Sequence, residues 1–209
     1  MYKVRKLILI PILILNIYVI YLNSLRKESF KVQKVLLNDM STGEFNLQLN
    51  QINDLNDQYP SLAINTIPIK TLKSRYLNFY NLKKESMSLL NISLLENPYS
   101  VYSFYLKSRI LIDQNRNLEA ISYLRQAFKI SPGTTYSSSL YVTLLGDLKL
   151  YKELIDIFPQ LKLIPDLNIW RFYISALKIS TPNKNLQEID SIISFGKNKF
   201  KNKKIFFNN

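Results

Sequence analysis

Residues 98–133, PYSVYSFYLKSRILIDQNRNLEAISYLRQAFKISPG, decide the fold of this chain. Two apolar stretches of helical periodicity lie on either side of the polar segment DQNRN, residues 113–117. A polar segment of this kind favours a turn, so the stretch predicts two antiparallel helices joined as a hairpin. Pro132 cannot continue the second helix, and Gly133 allows the chain to leave the helix and turn towards the next segment.

The hairpin recurs along the chain. Pro98, Pro132 and Pro165 are almost evenly spaced, and each follows a stretch with the pattern of a helical hairpin. A fixed period of about 34 residues is typical of helical repeat arrays, which bind partners and rarely catalyse reactions. In the third hairpin, Pro159 predicts a second helix that is shortened or kinked.

In the hairpin of residues 98–133, the small and apolar residues follow the spacing aromatic-x3-small-x2-apolar-x8-Ala-x3-apolar-x2-Ala-x4-Pro. The residues at these positions are Phe104, Ser108, Leu111, Ala120, Leu124, Ala127 and Pro132. This pattern resembles the tetratricopeptide (TPR) repeat, although Lys107 replaces the large aliphatic residue of the family. Independently of the resemblance, small residues allow two helices to cross closely while larger neighbours fill the space beside them.

The resemblance extends over about residues 67–200 and implies an all-α fold, an α-solenoid of TPR-like hairpins with a concave groove. The outer repeats match less well, as expected of units that cap a stack. Near the end of the array, Asp166 and Asn168 are the residues expected to cap a helix that carries Trp170 in the core. Thr181-Pro182 is expected to begin the helix after it.

The N-terminal segment has the pattern of a single transmembrane helix. Residues 7–25, LILIPILILNIYVIYLNSL, would span about 28 Å as a helix, which matches the hydrocarbon core of a bilayer. A cleaved signal peptide and a buried core helix are the alternatives. The apolar run is longer than a signal peptide needs, and the first alanine of the chain is Ala63, so we favour an uncleaved anchor.

The predicted organisation has four parts. They are a membrane anchor with basic flanks (1–27), a helical linker or capping region (28–66), the TPR-like repeat domain (67–200) and a basic tail (201–209). Lys and Arg flank both ends of the apolar run, so the charge bias hardly decides its orientation. A short N-terminal flank that leads directly into an anchor favours a bacterial inner-membrane protein with its body on the periplasmic side.

The net charge of +13 is concentrated at the two ends of the chain. Residues 1–34 carry +6 and residues 197–209 carry +5, so the body between them carries only +2. Proteins that bind nucleic acids usually spread basic residues over one face of the folded domain, and this distribution disfavours that function. The lysine-rich tail is either a solvated terminus or a segment that is attracted to anionic lipid or to an acidic partner.

The composition argues against catalysis and against a cofactor. The chain has no cysteine and no histidine, which removes the commonest nucleophile, general base and metal ligands. No Gly-rich phosphate loop is present, and the closest carboxylate pairs fall where exposed helix faces are expected. We therefore expect no catalytic, cofactor-binding or metal site.

The resemblance also indicates which residues would line the groove. Positions on the first helix of each hairpin face the concave side, where Tyr and Arg offer large contact area with a polar group. The alternative is that Tyr102 and Tyr105 merely pack against the neighbouring repeat. The predicted partner-binding residues are Arg75, Asn78, Phe79, Tyr102, Tyr105, Arg109, Ile112 and Asp113.

Two functions fit these expectations. The first is a membrane-anchored scaffold that holds a protein or peptide partner of a bacterial envelope complex. The second is an accessory, non-catalytic module of surface-polysaccharide (O-antigen) or pilus assembly, because residues 97–132 are similar in style to repeat-bearing tails of O-antigen ligases and polymerases. The many-spanning catalytic domain of those families has no counterpart in this sequence.

Overall fold

A computed structural model describes residues 2–57, 59–181 and 187–201, with side chains from residue 10 onward. These residues form helices and no strand, apart from one isolated bridge between Leu62 and Pro68. The helices are α1 (Tyr2–Thr42), α2 (Leu49–Asn53), α3 (Ile69–Phe79), α4 (Lys83–Glu96), α5 (Val101–Asp113), α6 (Asn117–Ile130), α7 (Thr135–Asp147), α8 (Tyr151–Asp156), α9 (Phe158–Lys162), α10 (Leu167–Ser180) and α11 (Gln187–Lys199).

Packing contacts divide the chain into two compact units, residues 1–98 and residues 99–209. In the first unit, α3 pairs with α4 and also contacts α1 and α2. In the second unit, α5 pairs with α6, and α7 packs against both α6 and α10. The predicted all-helical fold of hairpins is confirmed.

The repeat period of the sequence is visible in the backbone itself. Asn81, Asn115 and Lys149 each join the two helices of a hairpin, and each has a positive φ, of 62°, 59° and 55°. The amide of the residue after each of them donates to a carbonyl five residues earlier, as in Arg116 N to Leu111 O at 2.9 Å. A left-handed residue at the end of the first helix satisfies its last carbonyls and reverses the chain.

The close helix crossing of the α5–α6 hairpin falls where its small residues predict it, and the hairpin before it has a similar crossing. Ser108 is fully buried, and its hydroxyl donates to the carbonyl oxygen of Ala120 at 3.2 Å, across from α5 to α6. One repeat earlier, the hydroxyls of Ser74 and Ser86 lie 2.7 Å apart between α3 and α4. A larger side chain at either crossing would force the paired helices apart.

Proline and capping residues shape the last two hairpins as predicted. The second helix of the third hairpin is broken into α8 and α9, with Pro159 in the first turn of α9. Asp166 caps α10 by accepting from the amides of Asn168 and Ile169, at 2.8 and 3.1 Å. Trp170 is fully buried in the core. The predicted start of the following helix at Pro182 lies outside the described residues.

An ion pair joins α6 to α8. Two of the three nitrogens of the Arg125 guanidinium donate to the Glu153 carboxylate, at 2.6 and 2.9 Å, and the hydroxyl of Tyr141 donates to the same carboxylate. These hydrogen bonds, above all those from Arg125, hold the pKa of Glu153 below its usual value. The pKa of Tyr141 is raised by burial and by the neighbouring carboxylate.

The N-terminal helix α1 is longer than the predicted anchor. It continues through Thr42, contains Pro11 without interruption, and exposes its side chains throughout residues 10–21. Across the part of the chain that is described, no helix is both long enough and apolar enough to span a membrane. The predicted span of residues 7–25 begins with three residues whose side chains lie outside that description.

Candidate functional site

The predicted partner-binding residues lie on the first helices of two hairpins, in different units. Tyr102, Tyr105, Arg109, Ile112 and Asp113 are on α5, in the second unit. The other three, Arg75, Asn78 and Phe79, are on α3, in the first unit.

Three tyrosine rings form one cluster in the second unit. The ring centres of Tyr102 and Tyr105 lie 6.1 Å apart, and both rings contact Tyr136 of α7, at 6.0 and 4.8 Å. Tyr105 and Tyr136 meet edge to face at 4.8 Å, an arrangement that aromatic rings favour. All three rings remain partly open to solvent, and 43% of Tyr136 is exposed. The tyrosines thus pack against a neighbouring repeat and still present a surface.

Tyr136 is not among the residues predicted from the sequence, although the sequence contains a signal for it. It stands one repeat period after Tyr102 and so occupies the equivalent position of the next hairpin. Burial, and secondly the neighbouring Tyr105, raise the pKa of Tyr136, so its hydroxyl stays protonated at neutral pH. It can therefore donate a hydrogen bond to a partner as well as accept one.

Arg109 places a positive charge beside the tyrosines. Its side chain is exposed, and one guanidinium nitrogen lies 3.4 Å from the hydroxyl oxygen of Tyr105, a long contact that leaves most of its donors facing solvent. Asp113, one turn further along α5, is also exposed. We call Tyr102, Tyr105, Arg109 and Tyr136 the tyrosine surface.

The α3 residues are engaged within their own unit. The Arg75 guanidinium is buried and donates to the carbonyl oxygens of Asp39 and Glu44, at 3.0 Å each. Phe79 stacks on Phe45 with ring centres 4.0 Å apart. The role of the α3 residues as partner contacts stays a prediction.

Asp39 is the charged group at the centre of this arrangement. Its carboxylate accepts from the Tyr76 hydroxyl and, at 2.7 Å each, from the amide and side chain of Asn46. Burial favours a raised pKa, but these hydrogen bonds outweigh it and hold the pKa of Asp39 below its usual value. Burial and the Asp39 carboxylate raise the pKa of Tyr76 to about 12.

A metal site or a catalytic cavity would be a second kind of functional site in this chain. Within the described ranges, no group of three or more His, Cys, Asp or Glu side chains could hold a metal ion. A surface cavity of about 530 Å³ lies beside α8 and is lined by Lys149, Leu150, Tyr151, Lys152, Glu153 and Asp156. Glu153 is committed to Arg125 and Tyr141, and the cavity holds no arrangement of acid, base and nucleophile.

The hairpins, their small-residue crossings and the regular spacing of their turns define a TPR-like helical fold. Comparison with solved structures agrees with this class. The crystal structure of MamA protein, a TPR-like protein, superimposes with a TM-score of 0.56 at 10% sequence identity, covering 88% of this chain and 100% of the MamA chain. At this identity the likeness shows the fold only.

The sequence comparisons add no family. No protein-family model matches the chain, and no curated protein sequence matches it. The similarity in style to O-antigen ligase and polymerase tails gains no support from these comparisons. A scaffold that contacts other proteins remains the function that the TPR-like fold favours.

Proposed function

We propose that this chain is a scaffold that holds a protein or peptide partner on its tyrosine surface and is tethered to a membrane by α1. The observation that carries the first part is the cluster of three partly exposed tyrosines beside the exposed Arg109, on the first helices of consecutive hairpins. Tyr and Arg dominate the energetics of protein interfaces because they bury large area and still make polar contacts.

The fixed ring geometry also favours binding. Tyr102, Tyr105 and Tyr136 hold one another through contacts of 4.8–6.1 Å, so a partner has little side-chain entropy to remove. TPR-like scaffold folds are typically non-catalytic, and we propose no reaction for this chain.

The membrane tether is supported by the surface of α1. All residues from Ile10 to Tyr21 are exposed, and most are Ile, Leu or Val, including Ile20 at 68% and Leu15 at 62% exposure. Exposed apolar surface of this extent usually marks contact with another apolar phase. Basic residues stand on both sides of the run, where lipid head groups would lie. We propose the bacterial inner membrane as the setting, with the body on the extracytoplasmic side.

Photocrosslinking tests the tyrosine surface. A photoreactive phenylalanine analogue replaces Tyr105 in the full chain, and the same analogue replaces Tyr151 on α8 as the matched control. We expect an adduct in native membranes from position 105 and none from position 151. Tyr105→Ala with Arg109→Glu should abolish partner retention, and Tyr151→Ala with Lys152→Glu should preserve it. Equal retention by the two double variants, both with native circular dichroism, would refute the surface.

Extraction and labelling test the tether and its orientation. We expect the full chain to stay in the membrane fraction after alkaline carbonate washing and a chain that lacks residues 1–27 to be released. The chain has no cysteine, so Leu118→Cys, at a position 76% exposed, introduces a single thiol. A membrane-impermeant maleimide should label it in intact spheroplasts. Release of the full chain by carbonate would contradict the tether, and labelling only after lysis would contradict the orientation.

A further inference from the structure

The segment between α1 and α2 is not helical and lies against the first helix of its hairpin. Residues 43–48 have no helical structure, and their exposure alternates: Glu44, Asn46 and Gln48 are exposed, and Phe45 and Leu47 are half-buried. Phe45 and Leu47 are therefore the less exposed side chains of this segment. The side that carries Phe45 faces α3, because the Phe45 ring stacks on Phe79.

Side chains of α3 and its C-terminal cap hold the main chain of this segment. Arg75 donates to the carbonyl oxygen of Glu44 at 3.0 Å, and Tyr80 donates to the carbonyl oxygen of Leu47 at 2.9 Å. Phe45 is enclosed by the Phe79 ring at 4.0 Å, by the edge of Tyr76 at 5.2 Å and by the Arg75 guanidinium at 3.9 Å. Donors to the peptide backbone together with a site for one aromatic side chain are the elements of peptide recognition.

Two polar atoms of α3 have no hydrogen-bond partner while residues 44–47 lie against this helix. The second terminal nitrogen of Arg75 and the side-chain oxygen of Asn78 are both buried and have no hydrogen-bond partner within the described chain. Arg75 is itself only 9% exposed. A buried donor and a buried acceptor left unpaired weaken the contact, and a different peptide that pairs with them would bind more tightly.

We propose that α3 carries a second peptide-binding surface, formed by Arg75, Asn78, Phe79 and Tyr80, which residues 44–47 occupy in the resting protein. Its external ligand is an extended protein segment with an aromatic residue and an aliphatic residue two positions apart, the pattern of Phe45 and Leu47. The resident segment competes with that ligand at the high effective concentration of a tethered group, so it sets a threshold for binding.

The hydrogen bonds that hold residues 44–47, other than those from α3, lie near the end of α1, so the segment can leave α3 without unfolding it. Beyond its contacts with α3, the segment is held through Asn46, whose amide and side chain donate to the Asp39 carboxylate. Asp39 lies near the end of α1, so its bonds to Asn46 are local to the turn that follows that helix. Weakening the Phe45 or the Asn46 contacts should free α3 without disturbing the α3–α4 hairpin, which is held by the Ser74–Ser86 crossing.

This inference rests on the proposed function in taking a first helix as the partner-facing side, but the binding that its test measures depends on residues of the first unit. The probe is a fluorescent peptide of residues 43–48, GEFNLQ, titrated against the full chain in detergent micelles. Phe45→Ala should bind it about tenfold more tightly than the unaltered chain, since an aromatic stack and a cation–π contact no longer hold the resident segment. Phe172→Ala, which removes another half-exposed aromatic ring, is the matched control and should bind as the unaltered chain does.

Further variants test whether the tighter binding of GEFNLQ takes place on α3. Adding Phe79→Ala to Phe45→Ala should abolish the tighter binding, and so should the probe GEANLQ, which lacks the aromatic residue. Tyr105→Ala should leave the gain unchanged, so failure of the tyrosine surface and failure of this proposal are distinguishable. Asn46→Ala weakens the resident segment without removing a core ring and should also tighten binding.

Two results would overturn the proposal. One is that Asn46→Ala binds GEFNLQ no better than the unaltered chain. This result counts whether or not the separate variant Phe45→Ala folds. The other needs no variant and comes from hydrogen exchange of the unaltered protein. The amide of Asn46 should exchange well before the amides of α3, and exchange as slow as that of Leu77 would show that the segment is a permanent part of the fold.

Discussion

Gly146 offers the sharpest test of how the second unit is packed, because it lies at the crossing of α7 and α10. A β-carbon built on Gly146 would lie 2.8 Å from both the α- and β-carbons of Ala176, and 3.2 Å from its carbonyl oxygen. Carbon atoms pack at about 3.5–4.0 Å, so Gly146→Ala must push the backbone of α10 away by roughly 0.7 Å. A flexible side chain could turn aside, but two of the three atoms belong to the backbone.

The expected loss of stability follows from two opposing effects. Overpacking of a close contact costs about 1–3 kcal/mol. Alanine favours a helix over glycine by up to about 1 kcal/mol, and less near the helix end where Gly146 lies. The net destabilisation is therefore about 1–2 kcal/mol, which corresponds to a fall in Tm of about 2–8 °C.

The assay uses a reporter that the protein already contains. Trp170 is the single tryptophan of the chain and is fully buried in α10, so its fluorescence follows the helix that must move. Gly133→Ala is the matched control, since a β-carbon there meets nothing within 4 Å. Adding Ala176→Gly to Gly146→Ala should restore only part of the loss, because the α-carbon contact remains. Equal denaturation curves for Gly146→Ala and Gly133→Ala would refute the close crossing.

The remaining predictions concern the turn, the ion pair and the second crossing. Lys149→Asn should raise the unfolding free energy by about 0.5 kcal/mol in urea denaturation, since asparagine adopts the positive φ of this turn more readily than lysine; no gain would contradict it. Glu153→Gln should cost about 1 kcal/mol at pH 7, because it weakens the partly exposed pair with Arg125. The pKa of Glu153 is depressed in the folded state, so this contribution is present above the unfolded pKa of about 4.3 and is lost as the pH falls through the lower folded value. A difference between Glu153→Gln and the unaltered chain that persists undiminished at pH 2–3 would therefore argue against the pair. Ser108→Leu should destabilise the second unit by about 2 kcal/mol or more in the same denaturation assay, and a neutral result would show that α5 and α6 do not cross closely there.

The helices and turns were largely predictable because local sequence specifies them. Asn115 lies in the polar segment 113–117, where the turn was predicted, and Pro159 breaks the second helix of its hairpin because it lacks an amide hydrogen. The Asp166 cap was predictable for the same reason, since its hydrogen bonds reach only two and three residues along the chain.

The candidate site was predictable only in part. The positions of Tyr102 and Tyr105 on the first helix followed from the resemblance, and the repeat period would have added Tyr136. The burial of Arg75 was not predictable, because its partners are the carbonyls of Asp39 and Glu44, 36 and 31 residues earlier. Such bonds use main-chain atoms, which every residue possesses, so no residue pattern signals them.

The sequence by itself determined that this chain builds helical hairpins at a regular period, since small residues, prolines and turn residues act within one hairpin. Only the tertiary structure decided which faces of those hairpins stay available. In the structure, Phe45 and the backbone around it pack against α3, and Tyr136 lies beside Tyr102 and Tyr105. The physical reason is that burial and ring contacts depend on how elements distant in sequence pack, and amphipathic patterns leave more than one such arrangement open.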